Sequence, residues 1–92
     1  MKFDCKKTED CFADSCTYEY ALPISAAELA SRLEGWEKRE NTRLRRPVFV
    51  ADRDGVNLKG VLAAHTVRAS FPNSRRESEK FAFEAWLEEQ NV

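Results

Sequence analysis

The sequence contains four side chains of the kinds that bind metal ions or act as nucleophiles, three cysteines and one histidine. Cys5, Cys11 and Cys16 are separated by five and four residues, and His65 lies in a different part of the chain. A Cys₃His set suits tetrahedral zinc, but structural zinc sites usually hold cysteine pairs separated by about two to four residues. The spacing therefore favours unligated thiols, and we expect no metal ion or other cofactor.

A catalytic cysteine needs a base and positive surroundings, because only the thiolate is nucleophilic. Cys11 lies in an acidic stretch, whereas two lysines follow Cys5, so Cys5 with His65 is the candidate pair for a small enzyme or redox protein. A lone histidine in a strand is more often a surface or packing residue than a catalyst. Glycines at 35, 55 and 60 are too far apart to form a phosphate-binding loop. The sequence therefore predicts a protein without enzyme activity.

Charge is unevenly distributed along the chain, although the net charge is only −1. Residues 1–31 hold three basic and six acidic residues, residues 32–76 hold eleven and five, and residues 77–92 hold one and five. The basic middle can attract an acidic partner, or it can pair with the acidic ends across the folded surface.

The location predicted from the sequence is the cytoplasm, without membrane contact. No apolar run approaches the ~20 residues of a membrane helix. The first residues lack the apolar region of a secretory signal, and an odd number of cysteines is untypical of a secreted disulfide framework.

Apolar periodicity divides the chain into two parts. Residues 1–16 are polar and predict an irregular arm that Phe3 and Phe12 anchor, and residues 17–92 predict a single domain. The domain begins with alternating tyrosines at positions 18 and 20, which is typical of a half-buried strand.

Two capping boxes predict two helices, one over residues 26–34 after Ser25 and one over residues 75–89 after Ser74. In a capping box the serine hydroxyl accepts from the backbone N–H three residues on, and the glutamate at that position reaches back to the serine N–H.

The stretch between the helices predicts antiparallel strands. A charged segment at 36–40 is followed by alternating apolar residues at 48–50, 56–62 and 66–71, with a tight turn at Asp54-Gly55. The expected fold is an α+β two-layer sandwich. It has a sheet of four or five strands in the order β-α-β-β-β-(β)-α, and both helices lie on one face.

The second helix has an unusually wide apolar surface. At 100° per residue its apolar side chains span roughly 240°, against the ≳100° stripe of an ordinary surface helix. One flank is therefore free to contact the rest of the domain or another molecule. The apolar residues of the whole arc are Phe81, Ala82, Phe83, Ala85, Trp86 and Leu87.

The leading functional prediction is a non-catalytic binding or regulatory module that contacts another protein or a second copy of itself. The absence of a catalytic set, the wide apolar arc and the segregated charge all favour it. The candidate contact residues are Phe83 and Leu87 on the second helix, and Arg43, Arg45 and Arg46 in the basic middle.

Nucleic-acid binding is the alternative. The order of helix, antiparallel strands and helix over residues 25–90 resembles the double-stranded-RNA-binding domain in outline. In that family a basic cluster at the start of the last helix binds phosphates. The resemblance implies this role for Arg75, Arg76 and Lys80, although acidic residues at 77 and 79 would repel phosphate. Lys38 and Arg39, with the arginines at 43–46, form a second basic cluster on a predicted strand edge.

Overall fold

The computed structural model describes residues 1–11, 15–43 and 45–90, which form one antiparallel sheet and two α-helices. The strands are β1 (Asp4–Cys11), β2 (Ser15–Ala21), β3 (Glu37–Asn41), β4 (Val48–Arg53), β5 (Val56–Val61) and β6 (Thr66–Pro72). The helices are α1 (Ala26–Arg32) and α2 (Arg76–Glu89).

The six strands lie in the order β1-β2-β6-β5-β4-β3. Strands β3 to β6 form a meander, and the β1–β2 hairpin joins it through β6. The predicted α+β class and antiparallel sheet are confirmed. The predicted number of strands, four or five, is wrong, because the first strand of the hairpin was not expected.

That additional strand is β1, which replaces the irregular arm predicted over residues 1–16. It pairs with β2 from Asp4, opposite Ala21, to Cys11, opposite Cys16, with a bulge between Lys7 and Cys11. At the edge of the sheet the side chains at positions 4–7 are exposed, so the sequence shows no apolar alternation there. The ring of Phe3 lies 5.6 Å from that of Tyr20, and Phe12 lies outside the described residues.

One face of the sheet and both helices share a single apolar core. Side chains of a strand alternate between the two sheet faces, so every second residue of β4, β5 and β6 enters this core. The strand residues are Tyr20, Phe49, Ala51, Val56, Leu58, Val67, Ala69 and Phe71, and the helix residues are Ala26, Leu29, Ala30, Phe83 and Leu87.

At the start of α1 the predicted serine cap forms, and the predicted return contact from Glu28 does not. The Ser25 hydroxyl accepts from the backbone N–H of Glu28 at 3.2 Å. The Glu28 carboxylate accepts from Arg32 at 3.0 Å instead of reaching back to the serine. The turn between β5 and β6 supplies further acceptors, because the Ala26 N–H donates to the carbonyl oxygen of Ala64 at 2.7 Å. The N-terminus of α1 is therefore bonded within the chain.

The start of α2 differs from the prediction. Residues Asn73–Arg75 form a 3₁₀ turn, and α2 follows it without a side-chain cap. Ser74 lies inside that turn, so the capping box with Glu77 does not form. Arg75 stabilises the junction instead, because its guanidinium donates to the carbonyl oxygen of Asp54 and to Glu79.

Gly60 lets α1 lie close to the sheet. A Cβ atom at this position would be 2.8 Å from Cε1 of Phe49, 3.1 Å from Cβ of Ala26 and 3.1 Å from Cγ1 of Val67. All three atoms belong to core residues, so none of them can move into solvent. We expect Gly60→Ala to lower the free energy of unfolding by about 1–3 kcal/mol through overpacking, measured by urea denaturation.

The double variant Gly60→Ala/Phe49→Leu is the control for that steric cause. A smaller side chain at position 49 makes room for the new methyl group, so the double variant should lose less stability than the sum of the single losses. Strict additivity would show that the contact with Phe49 does not cause the loss, and would leave the 3.1 Å contacts with Ala26 and Val67 as its source.

Candidate functional site

The structure separates the residues considered for metal binding and catalysis. Cys16 is buried, and its Sγ accepts from the Arg76 guanidinium at 3.5 Å. Cys5 is exposed on β1, and His65 is exposed in the turn between β5 and β6. The side chain of Cys11 lies outside the described residues. Among the described residues, no three potential metal ligands lie together.

The three cations at the start of α2 that were predicted to bind nucleic acid have partners within the chain. Arg75 bridges the β4–β5 turn and Glu79, and Arg76 lies against Cys16. Lys80 pairs with Glu84 and lies 5.1 Å from the centre of the Tyr18 ring. These contacts direct the three side chains toward neighbouring groups of the same chain and stabilise α2 against the sheet.

Lys38 also has an internal role. Its Nζ donates to the carbonyl oxygen of Ala30 at 3.1 Å, in the last turn of α1. A cation near a helix C-terminus is favourable because the final carbonyl groups there carry partial negative charge. The side chain of Lys38, in the second basic cluster, therefore contacts the C-terminal end of α1. Its neighbour Arg39 lies on the other face of β3.

Phe83 and Leu87, the predicted contact residues of α2, are core residues. They are 5% and 0% exposed, so neither is available to a partner. The exposed large hydrophobic residue of this helix is Phe81, at 78%. The side chains of Phe83 and Leu87 therefore pack toward the sheet, and the aromatic side chain of Phe81 is left in solvent.

The sheet surface opposite both helices is the candidate site, and we call it the open face. Cross-strand pairing places Arg39, Val50, Lys59 and Arg68 in one row across β3, β4, β5 and β6. The residues on either side of Val50 in β4, Phe49 and Ala51, enter the helix-covered core. Since side chains alternate along a strand, the row itself faces away from the helices.

Three valines form an apolar strip at one end of the open face. Val48 lies directly opposite Val61, and Val50 is two residues further along β4. All three are half-buried, and the core cluster of the described residues does not include them. A shallow depression of about 380 Å³ lies over the strip, with Lys59 and Arg68 on its border.

The predicted arginines 43, 45 and 46 lie beside this strip. They are exposed in the loop that joins Asn41 of β3 to Val48 of β4, two residues that pair on the open face. The acidic residues Glu37 and Asp52 pair at the other end of the same strands. Positive charge is therefore concentrated at the valine end of the open face.

Two of the cations in the row form ion pairs with acidic neighbours. Arg39 is 3.3 Å from Asp52, and Arg68 is 3.6 Å from Glu19. Both pairs are substantially exposed to solvent, where such pairs contribute about 0–1 kcal/mol. A partner can therefore replace these acidic neighbours at little cost.

A second depression, of about 470 Å³, lies between the two helices. Its apolar lining includes Trp36, Ala82, Phe83 and Trp86. Charges of both signs border it, Arg32 and Arg53 together with three acidic residues, so it shows no preference for a ligand charge.

Comparison with known proteins found no matching family model, no similar curated protein and no similar solved structure. Within the described residues, neither helix has the length and apolar character needed to cross a bilayer.

A polar cluster beneath α2 makes the stability of the fold depend on pH. The hydroxyl of Tyr20 donates to Glu84 at 2.9 Å, and Lys80 pairs with the same carboxylate. Burial raises the pKa of Tyr20 well above its ordinary value, and the Cys5 thiol and Glu84 carboxylate raise it further. The hydrogen bond to Glu84 raises the pKa of Lys80. The folded state thus holds both protons more tightly than the unfolded chain does.

We therefore expect the free energy of unfolding to fall as pH rises above about 10, where tyrosine and lysine in the unfolded chain lose their protons. Below that pH the contribution is fully present. Urea denaturation between neutral and alkaline pH measures the slope. Tyr20→Phe should be less stable at neutral pH by about 1–3 kcal/mol, through the lost hydrogen bond to a charged group, and should show a shallower alkaline decline. An equal decline in both proteins would exclude Tyr20 as its source.

Proposed function

We propose that this chain is a non-catalytic protein-binding module whose interface is the valine end of the open face. The observation that carries the proposal is the placement of Val48, Val50 and Val61 on the sheet surface that the helices leave uncovered. Specific protein interfaces combine an apolar centre with a polar border, and this surface has that arrangement.

The charges around the valines indicate the chemistry of the partner. Lys59, Arg68 and Arg39 border the strip within the sheet, and the arginines of the β3–β4 loop extend the positive border at its end. An acidic surface with an apolar centre is complementary to this arrangement. Charge complementarity of this kind increases association rate and suppresses wrong partners more than it adds affinity.

Nucleic acid is less well matched to the same surface. Single strands bind on platforms of exposed aromatic side chains, and the described residues of the open face include no aromatic residue. The helix cations that the double-stranded-RNA-binding resemblance implied are engaged within the chain. RNA binding is accordingly an alternative outcome of the test below.

The proposal includes a cytoplasmic setting. The odd number of cysteines, three, supports it, because an odd number is untypical of a secreted disulfide framework.

The test uses three fluorescent probes of equal negative charge in anisotropy titrations. The first is a peptide in which aspartate and glutamate flank leucine and phenylalanine, the second has serine at the apolar positions, and the third is an RNA oligonucleotide. We expect the first peptide to bind at least about tenfold more tightly than the second, because only it can bury the valine strip. Tighter binding of RNA, with an affinity that falls steeply as salt rises, would overturn the proposal in favour of nucleic acid.

Variants of the open face locate the binding site. Val50→Asp and Lys59→Glu should each weaken the apolar acidic peptide by about tenfold to a hundredfold, since each places negative charge against a negative partner. Lys7→Glu is the matched control, because Lys7 is an exposed lysine that shares the other sheet face with Tyr18. Equal weakening by Lys7→Glu would show a general effect of net charge and would contradict the proposed site.

A further inference from the structure

The outward side of α2 has the opposite character to the open face. Phe81 is the exposed large hydrophobic residue among the described residues. With about 3.6 residues per turn, Glu77, Ala85 and Glu88 lie on the same side of the helix as Phe81. Glu77 and Glu88 are exposed. This side of α2, which we call the Phe81 surface, is an aromatic projection bordered by negative charge.

The two surfaces are complementary in shape and charge. The open face has a shallow depression of about 380 Å³ over valines, bordered by cations such as Lys59 and Arg68. The Phe81 surface has a projecting apolar side chain bordered by glutamates. Aromatic side chains, phenylalanine among them, are enriched in the buried centres of protein interfaces. Contact between the two surfaces would bury the phenylalanine and bring opposite charges together around it.

The two surfaces lie on opposite sides of the molecule. Phe83 and Leu87 bind α2 to the inner face of the sheet, so Phe81 points away from the sheet and the open face lies beyond it. No single chain can bring its own two surfaces together. Two copies of the chain can form this contact, with the open face of one copy against the Phe81 surface of the other. Each end of such a pair then carries one unused surface.

We propose that the partner of the open face is the Phe81 surface of a second copy of this chain, so that the protein associates head to tail. This inference rests on the proposed function, since it names an occupant for the same binding surface. The opposite charges of the two surfaces make the association sensitive to salt.

The first experiment is sedimentation velocity of the whole chain over a range of protein concentrations and salt concentrations. We expect the weight-average mass to rise with protein concentration, without a limit at the dimer, and to fall as salt is added. A mass that stays at the monomer value at every concentration overturns self-association. If Val50→Asp still weakens the apolar acidic peptide in that case, the proposed function stands and only the identity of the partner fails.

The second experiment uses two variants that each disable one surface. Phe81→Ser removes the aromatic projection, and Val50→Asp removes the apolar centre of the open face. Each variant alone should be monomeric, with association at least about tenfold weaker than that of the unaltered chain. An equal mixture should form a dimer and nothing larger, because one intact Phe81 surface meets one intact open face.

The mixture distinguishes this contact from others. If each variant is monomeric and the mixture is also monomeric, the intact open face of one variant does not bind the intact Phe81 surface of the other, and the head-to-tail contact is wrong. If either variant associates as well as the unaltered chain, a different surface is responsible and the inference is likewise wrong. Lys59→Glu is a second variant of the open face, on an exposed side chain, so a folding defect of Val50→Asp cannot decide the result.

Discussion

The rest of the structure depends on one apolar layer between the sheet and its two helices. Side chains alternate along each strand, so the residues that enter this layer determine which residues are left on the opposite surface. Phe49 and Ala51 are buried under the helices, and Val48 and Val50 therefore face solvent. Packing of the core therefore determines which residues form the candidate site. A shift of β4 by one residue would bury Val48 and Val50 and expose Phe49 and Ala51.

The sequence predicts local features of this fold well and the relations between distant segments poorly. The Ser25 cap and the Asp54-Gly55 turn depend on neighbouring residues, and both occur in the structure, the turn residues with positive φ. Strand β1 was missed because its exposed charged residues show no apolar period, and it is ordered by pairing with β2. Ser74 has the same local signal as Ser25, but the 3₁₀ turn after β6 moves the helix start beyond it.

The candidate site was predictable only in part, because exposure depends on packing. The sequence identified the loop arginines and the excess apolar surface of α2. It could not show which face the helices cover, so Phe83 and Leu87 were assigned to a surface that Phe81 occupies. Arg75 illustrates the same limit, since it is identified by its charge, whereas its acceptor, the carbonyl oxygen of Asp54, becomes visible only in three dimensions.

The two edges of the sheet also affect how the molecule behaves when it is concentrated. All five residues of β3 are exposed and four of them are charged, and β1 combines exposed charge with a bulge. Exposed charge and bulges prevent a neighbouring strand from adding to a sheet by backbone hydrogen bonds. Continuous growth of the sheet from one molecule into the next, as in an amyloid fibril, is therefore disfavoured at both ends. Contacts between copies are left to side chains, which makes them reversible and adjustable by single substitutions.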